Sequence, residues 1–189
     1  LSLRLMLAVL VGAAALGEGV ARAQAGVGPE SKDGKNAAFA NSLLGSYLAG
    51  RVARGQNDTE TAARYYREAL ARDPSNELLV EHAFLMEATE GNWPETSRLG
   101  KLLVEAQPAH RTAHAFMGLV DFKEGNYASA DQHFVAASAN PIGELTSTLA
   151  RGWVLQAQGK TTEALALLDA PKQPEWAQFY LRYHRALVA

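Results

Sequence analysis

The chain has 189 residues, 48% of them hydrophobic and 20% charged, enough to build one domain around a real core. A net charge of −2 with scattered basic residues leaves no electrostatic footprint for nucleic acid or an acidic membrane surface. Cysteine is absent, which excludes disulfides, thiolate metal sites, cysteine nucleophiles and a lipid anchor on an N-terminal cysteine.

Residues 1–25 differ in composition from everything after them. Arg4 precedes the uncharged stretch 5–16, and Ala21-Arg22-Ala23 and Ala23-Gln24-Ala25 follow it, the three-part layout of a secretory signal peptide. The apolar run is 12 residues long, too short for a bilayer that needs about 20. Export to the periplasm with cleavage after Ala25 is therefore expected, and no second apolar stretch approaches membrane length. Residues 26–36 mix glycine, proline and charge and read as a flexible linker.

Helical periodicity begins near Ala37 and is continuous from Leu43, with Leu44, Tyr47, Leu48, Arg51 and Val52 at three- and four-residue steps. A turn at 56–59 leads, with Asp58 or Thr59 as cap, into a second helix through Ala62, Tyr65, Tyr66 and Leu70 that Pro74 ends. The pattern then recurs. Helices over 78–90 and 95–107 flank Gly91-Asn92, with Pro94 in a first turn and Pro108 beyond the last. Helices over 112–124 and 128–139 close at Asn140-Pro141. Helices over 144–158 and 161–169 follow, the second cut short by Pro171 and Pro174, and a last helix spans 174–188. No segment alternates as a strand would, so the predicted fold is all-α.

The helices belong to a copied unit. Asn57, Gly91, Gly125 and Gly159 fall 34 residues apart, each in a turn. The eighth position of each copy reads Gly50, Phe84, Gly118, Gly152, and the twentieth reads Ala62, Thr96, Ala130, Ala164. Small residues there let two antiparallel helices approach closely. The second copy departs from the pattern, and Phe84 requires relief from Gly100 or a local shift. The third copy, Met117-Gly118-Leu119 through Gly125-Asn126-Tyr127 to Ala130, Phe134 and Ala137, resembles the tetratricopeptide repeat family. The frame gives units 43–76, 77–110, 111–144 and 145–178 and a partial fifth unit, 179–189, within a repeat domain over 37–189.

That resemblance implies an α-solenoid of antiparallel helix pairs wound into a right-handed superhelix, its groove lined by the first helix of each pair. Carried over by register, the groove residues are Tyr47, Arg51 and Arg54; Glu81, His82 and Leu85; Phe116, Leu119 and Phe122; and Leu149, Trp153 and Gln156. Large amphipathic side chains among them are suited to anchor a partner, with Trp153 expected to be exposed. The family's clamp for a C-terminal carboxylate needs lysine and asparagine where this chain has Tyr47 and Arg51, so chaperone-tail recognition is not expected.

Catalytic constellations are weak. His110 and His114 stand four apart, but Arg111-Thr112-Ala113 between them lacks the glutamate of a zinc hydrolase motif. Asp121 and Glu124 read as a solvated face balanced by Lys123, with Asp121 able to leave a polar notch beside Phe122. The expectation is a non-catalytic periplasmic scaffold, without cofactor or metal, that binds a protein or peptide partner in envelope complex assembly. The alternative is an accessory domain that holds a glycan or a synthase in polysaccharide export or wall remodelling. The last helix spreads Phe179, Tyr180, Leu181, Tyr183, Leu187 and Val188 around its surface, from which self-association is expected.

Overall fold

A computed structural model of the chain describes residues 42–169 and 174–189. The expected signal peptide, the linker and Pro171 lie outside the described residues. Within them the fold is all-α: α1 (Leu43–Gly55), α2 (Thr59–Leu70), α3 (Glu77–Glu90), α4 (Trp93–Ala106), α5 (Arg111–Glu124), α6 (Tyr127–Ala137), α7 (Pro141–Ala157), α8 (Thr161–Asp169) and α9 (Glu175–Val188).

The helix ends follow from local chemistry. Side chains of Ser42, Asp58, Asn76 and Asn140 accept from the backbone N–H three residues on and so cap α1, α2, α3 and α7. Pro141 therefore opens α7 rather than only closing the preceding pair, because its missing N–H would have no helical partner at a first position. The four turn residues share one backbone state: Asn57, Gly91, Gly125 and Gly159 have φ of 59°, 73°, 82° and 74°. Left-handed backbone is open to glycine and, at smaller cost, to asparagine. This is the physical reason that only those two types occupy the recurrent position.

The helices fall into two compact units, one ending at Pro108 and one beginning at Ala109. In the first, α2 packs between α1 and α3, and α4 packs on α3. In the second, α5 packs on α6 and α6 on α7, while α8 and α9 pack on each other and on α7. Each unit is thus a helical-repeat stack in which consecutive hairpins bury their apolar faces on one another.

The small positions are where paired helices touch. A Cβ on Gly50 would lie 3.1 Å from the Tyr66 ring, one on Gly118 would lie 2.6 Å from Phe134, and one on Gly152 would lie 3.2 Å from Leu168. In each pair the large residue follows the glycine by sixteen positions on the returning helix. The second copy keeps that spacing with the sizes exchanged: Phe84 is fully buried on α3 and Gly100 is buried on α4. The expected clash at Phe84 is thereby avoided, since the volume has moved from the returning helix to the leading one.

One buried charge joins α2, α3 and the following turn. Glu87 is 1% exposed, with Arg67 Nε 3.1 Å from Oε1 and the Asn92 amide donating to Oε2 at 2.7 Å. The ion pair is off-line for a hydrogen bond at Oε1, so Arg67 neutralises the carboxylate mainly through charge.

Candidate functional site

Tyr47, Arg51 and Arg54 lie at i, i+4 and i+7 of α1 and share one face of that helix. Facing them are Tyr66 of α2, drawn close because Gly50 offers no side chain, and His82 of α3. These residues and Gly55 line a cavity of about 560 Å³ within the first unit. Among the described residues the lining contains two guanidinium groups and no carboxylate.

Three rings form its wall. Tyr47 stacks on His82 at 6.0 Å and 26°, Tyr66 meets His82 at 5.0 Å, and Tyr47 meets Tyr66 at 6.3 Å. The Arg51 guanidinium lies 5.9 Å from the Tyr47 ring centre, so that ring has contacts with a neighbouring ring and a cation. Both arginines are exposed, whereas Tyr66 is fully buried.

Two buried polar atoms here have no hydrogen bond, the Tyr66 hydroxyl and His82 Nδ1. Arg54 acts on both through charge, yet it forms no hydrogen bond of ordinary geometry to the Tyr66 oxygen. Burial pushes the Tyr66 phenol up from its ordinary value, with Arg54 pulling it back. Burial first, and then Arg54, push the His82 imidazole down; Glu81 opposes them and Arg51 adds to them. His82 is therefore neutral at pH 7, and the positive charge of the site comes from its two arginines.

Glu81 and Leu85 are half-buried on α3, and neither lines the cavity. The remaining groove candidates belong to the second unit. Leu119 and Leu149 are core residues, 5% and 3% exposed, which corrects their placement on a groove. Trp153, expected to be exposed, is half-buried against Leu149, Leu181 and neighbouring core residues, and its indole N–H donates to His184 Nδ1 at 2.8 Å. The reason is that α9 packs on α7 and covers the side of it that carries Trp153. Phe122 is half-buried with its ring against Tyr127 at 5.8 Å, and Phe116 is also half-buried. Gln156 accepts from the Thr161 hydroxyl at 2.8 Å and so ties α7 to the start of α8.

The second unit holds a different polar cluster. His114 and His133 meet through their Nδ1 atoms at 2.8 Å, His133 Nε2 lies 3.6 Å from Asp121, and the Ser129 hydroxyl donates to Asp121. Asp121 thus faces α6 rather than forming a solvated pair with Glu124. Because Ser129 donates to a carboxylate and not to an imidazole, it is not arranged as an activated nucleophile. His110 caps α5 through Nδ1, which accepts from the Ala113 N–H at 3.1 Å, so that nitrogen is engaged by the helix end. Among the described residues, no group of three or more histidine, aspartate or glutamate side chains is arranged to hold a metal ion.

Sequence reasoning passed over Tyr66 as a site residue. The signal was present in the spacing from Gly50, because a large residue opposite a glycine reaches across the helix pair toward the next helix. The His114–His133 and Trp153–His184 contacts carry no comparable signal, since neither pair recurs in other copies. The sequence matches no protein-family model and no curated protein.

Proposed function

We propose that this chain is an exported tetratricopeptide-type scaffold that binds a polypeptide partner through the face of α1, α2 and α3. The recurrence every 34 residues and the stacked helix pairs support the repeat reading. The observation that carries the binding role is the convergence of Tyr47, Arg51, Arg54 and His82 on one cavity. Exposed guanidinium groups beside rigid aromatic rings are the side-chain types that dominate interaction energies in protein interfaces. The signal-like layout of residues 1–25 supports a periplasmic role, in an envelope assembly on this reading.

A scaffold role needs no chemistry at the site. For the glycan reading, sugar stacking requires an open aromatic face, whereas Tyr47 is stacked on His82 and approached by Arg51. The test is capture by the immobilised chain from an envelope extract, run beside a glycan array. Protein captured by the wild type and not by Arg51→Glu/Arg54→Glu supports the scaffold reading; glycan binding without protein capture replaces it.

A further inference from the structure

The cavity of α1–α3 has more hydrogen-bonding capacity than the protein uses. The Tyr66 hydroxyl is attached to a fully buried ring and makes no hydrogen bond of ordinary geometry, although Arg54 lies near enough to act on it. A buried polar group left without a partner costs stability, because its lost hydration is not replaced. A phenylalanine would fill the same space, keep the contact with Gly50 and avoid that cost. His82 Nδ1 is in the same condition on the neighbouring wall. Two such groups beside two exposed guanidinium groups describe a site whose partners are supplied by a ligand.

The donors come from different directions, Arg51 and Arg54 from α1, Tyr66 from α2 and His82 from α3. A planar carboxylate presents two oxygens in one plane, which a single guanidinium satisfies. A phosphate ester presents three oxygens in a tetrahedral array and carries about two negative charges near neutral pH, which matches two guanidinium groups. Among the described residues Glu81 acts on His82 through charge, and it does not line the cavity. We infer that the cavity is a phosphate site, in which Arg51 and Arg54 hold the phosphate of a ligand and the Tyr66 hydroxyl supplies a neutral third donor.

This inference rests on the reading of the cavity as the binding site and adds the chemistry of what enters it. The same phosphate can arrive as inorganic phosphate or on a phosphorylated molecule. The full chain, with its arginine side chains and histidine rings labelled for NMR, is titrated with inorganic phosphate, glycerol 3-phosphate, acetate and glycerol. Saturable shifts at Arg51, Arg54 and His82 are expected with a phosphate compound and not with acetate or glycerol. Tighter binding of glycerol 3-phosphate assigns the site to phosphorylated molecules, and equal binding assigns it to the free ion.

Arg51→Ala/Arg54→Ala should weaken phosphate binding by at least about tenfold, and Tyr66→Phe by about threefold or more, as expected for charge-assisted and neutral hydrogen bonds. Tyr66→Phe should also leave the melting temperature unchanged or higher, so its lost affinity is not lost folding. Acetate binding as tightly as phosphate, absence of saturable shifts, or phosphate shifts that survive loss of both arginines would overturn the inference. If the arginines are needed for partner capture while phosphate does not titrate, only the phosphate assignment falls. If partner capture is independent of the arginines, the binding surface falls with it.

Discussion

The indole N–H of Trp153 on α7 donates to Nδ1 of His184 on α9 at 2.8 Å, and the two rings stand nearly perpendicular at 77°. The bond needs His184 Nδ1 without a proton. Trp153→Phe keeps an aromatic ring against the core but removes the donor, which leaves the His184 nitrogen buried and unpaired, and trims some packed ring surface. The expected loss is about 1–3 kcal/mol in chemical denaturation. Unchanged stability would show that the bond does not fasten α9 to α7.

The histidines make stability depend on pH in one direction. Burial is the leading cause that pushes His82, His133 and His184 below the ordinary imidazole value; Arg54 adds to it at His82 and His114 adds to it at His133. Glu81 and Asp121 oppose the shift at His82 and His133. The unfolded chain therefore takes up protons that the folded chain resists. Stability is fully present above about pH 6.5 and declines as pH falls from there through the lowered folded values. Thermal melts across that window should show a decline on the acidic side, and His184→Phe should make it shallower.

Replacing the packed glycines with alanine separates two opposing effects. Alanine gains roughly 1 kcal/mol of helix propensity over glycine, and overpacking costs about 1–3 kcal/mol. At Gly118 the new Cβ lies 2.6 Å from a buried phenylalanine ring, so the clash wins and the variant is less stable. At Gly50 and Gly152 the nearest atoms are 3.1 and 3.2 Å away, and the two effects nearly cancel. Denaturation midpoints should place Gly118→Ala lowest of the three.

The exchanged pair in the second copy is testable by exchanging it back. Phe84→Gly empties a fully buried site, at a cost of about 3–5 kcal/mol for loss of a core phenylalanine side chain. Gly100→Phe alone overpacks the interface between α3 and α4. The double variant Phe84→Gly/Gly100→Phe restores the arrangement of the other copies. It should be more stable than the sum of its parts by at least about 1 kcal/mol.

Which parts of this protein are legible in its sequence follows from which constraints are local. Asn57, Gly91, Gly125 and Gly159 stand out because a left-handed turn restricts residue type wherever it occurs. Gly50, Gly118 and Gly152 stand out because one packing distance is repeated. The helices themselves follow from periodicity and caps. The site is only partly legible: Tyr47, Arg51, Arg54 and His82 line one cavity, whereas Leu119 is a core residue and Trp153 packs against the core. The first four are decided by neighbouring helices of one unit. Trp153 is decided by α9, which follows the last complete hairpin. On α9 itself Leu181 and Val188 turn inward while Trp176, Phe179, Tyr180, Tyr183 and Leu187 remain exposed, a division that the spread of apolar residues conceals.

For the proposed scaffold role two surfaces are candidates for docking a partner, the arginine cavity of α1–α3 and the aromatic face of α9. The most direct measurement is site-specific photocrosslinking on exported protein, with the probe placed at Gly55, which lines the cavity with open space around it, in one variant and at Phe179 in another. A crosslinked partner is expected from position 55 that disappears when Arg51 and Arg54 are reversed to glutamate, whatever is found at 179. A partner crosslinked only from 179, with nothing from 55, would overturn the assignment of the cavity as the docking site.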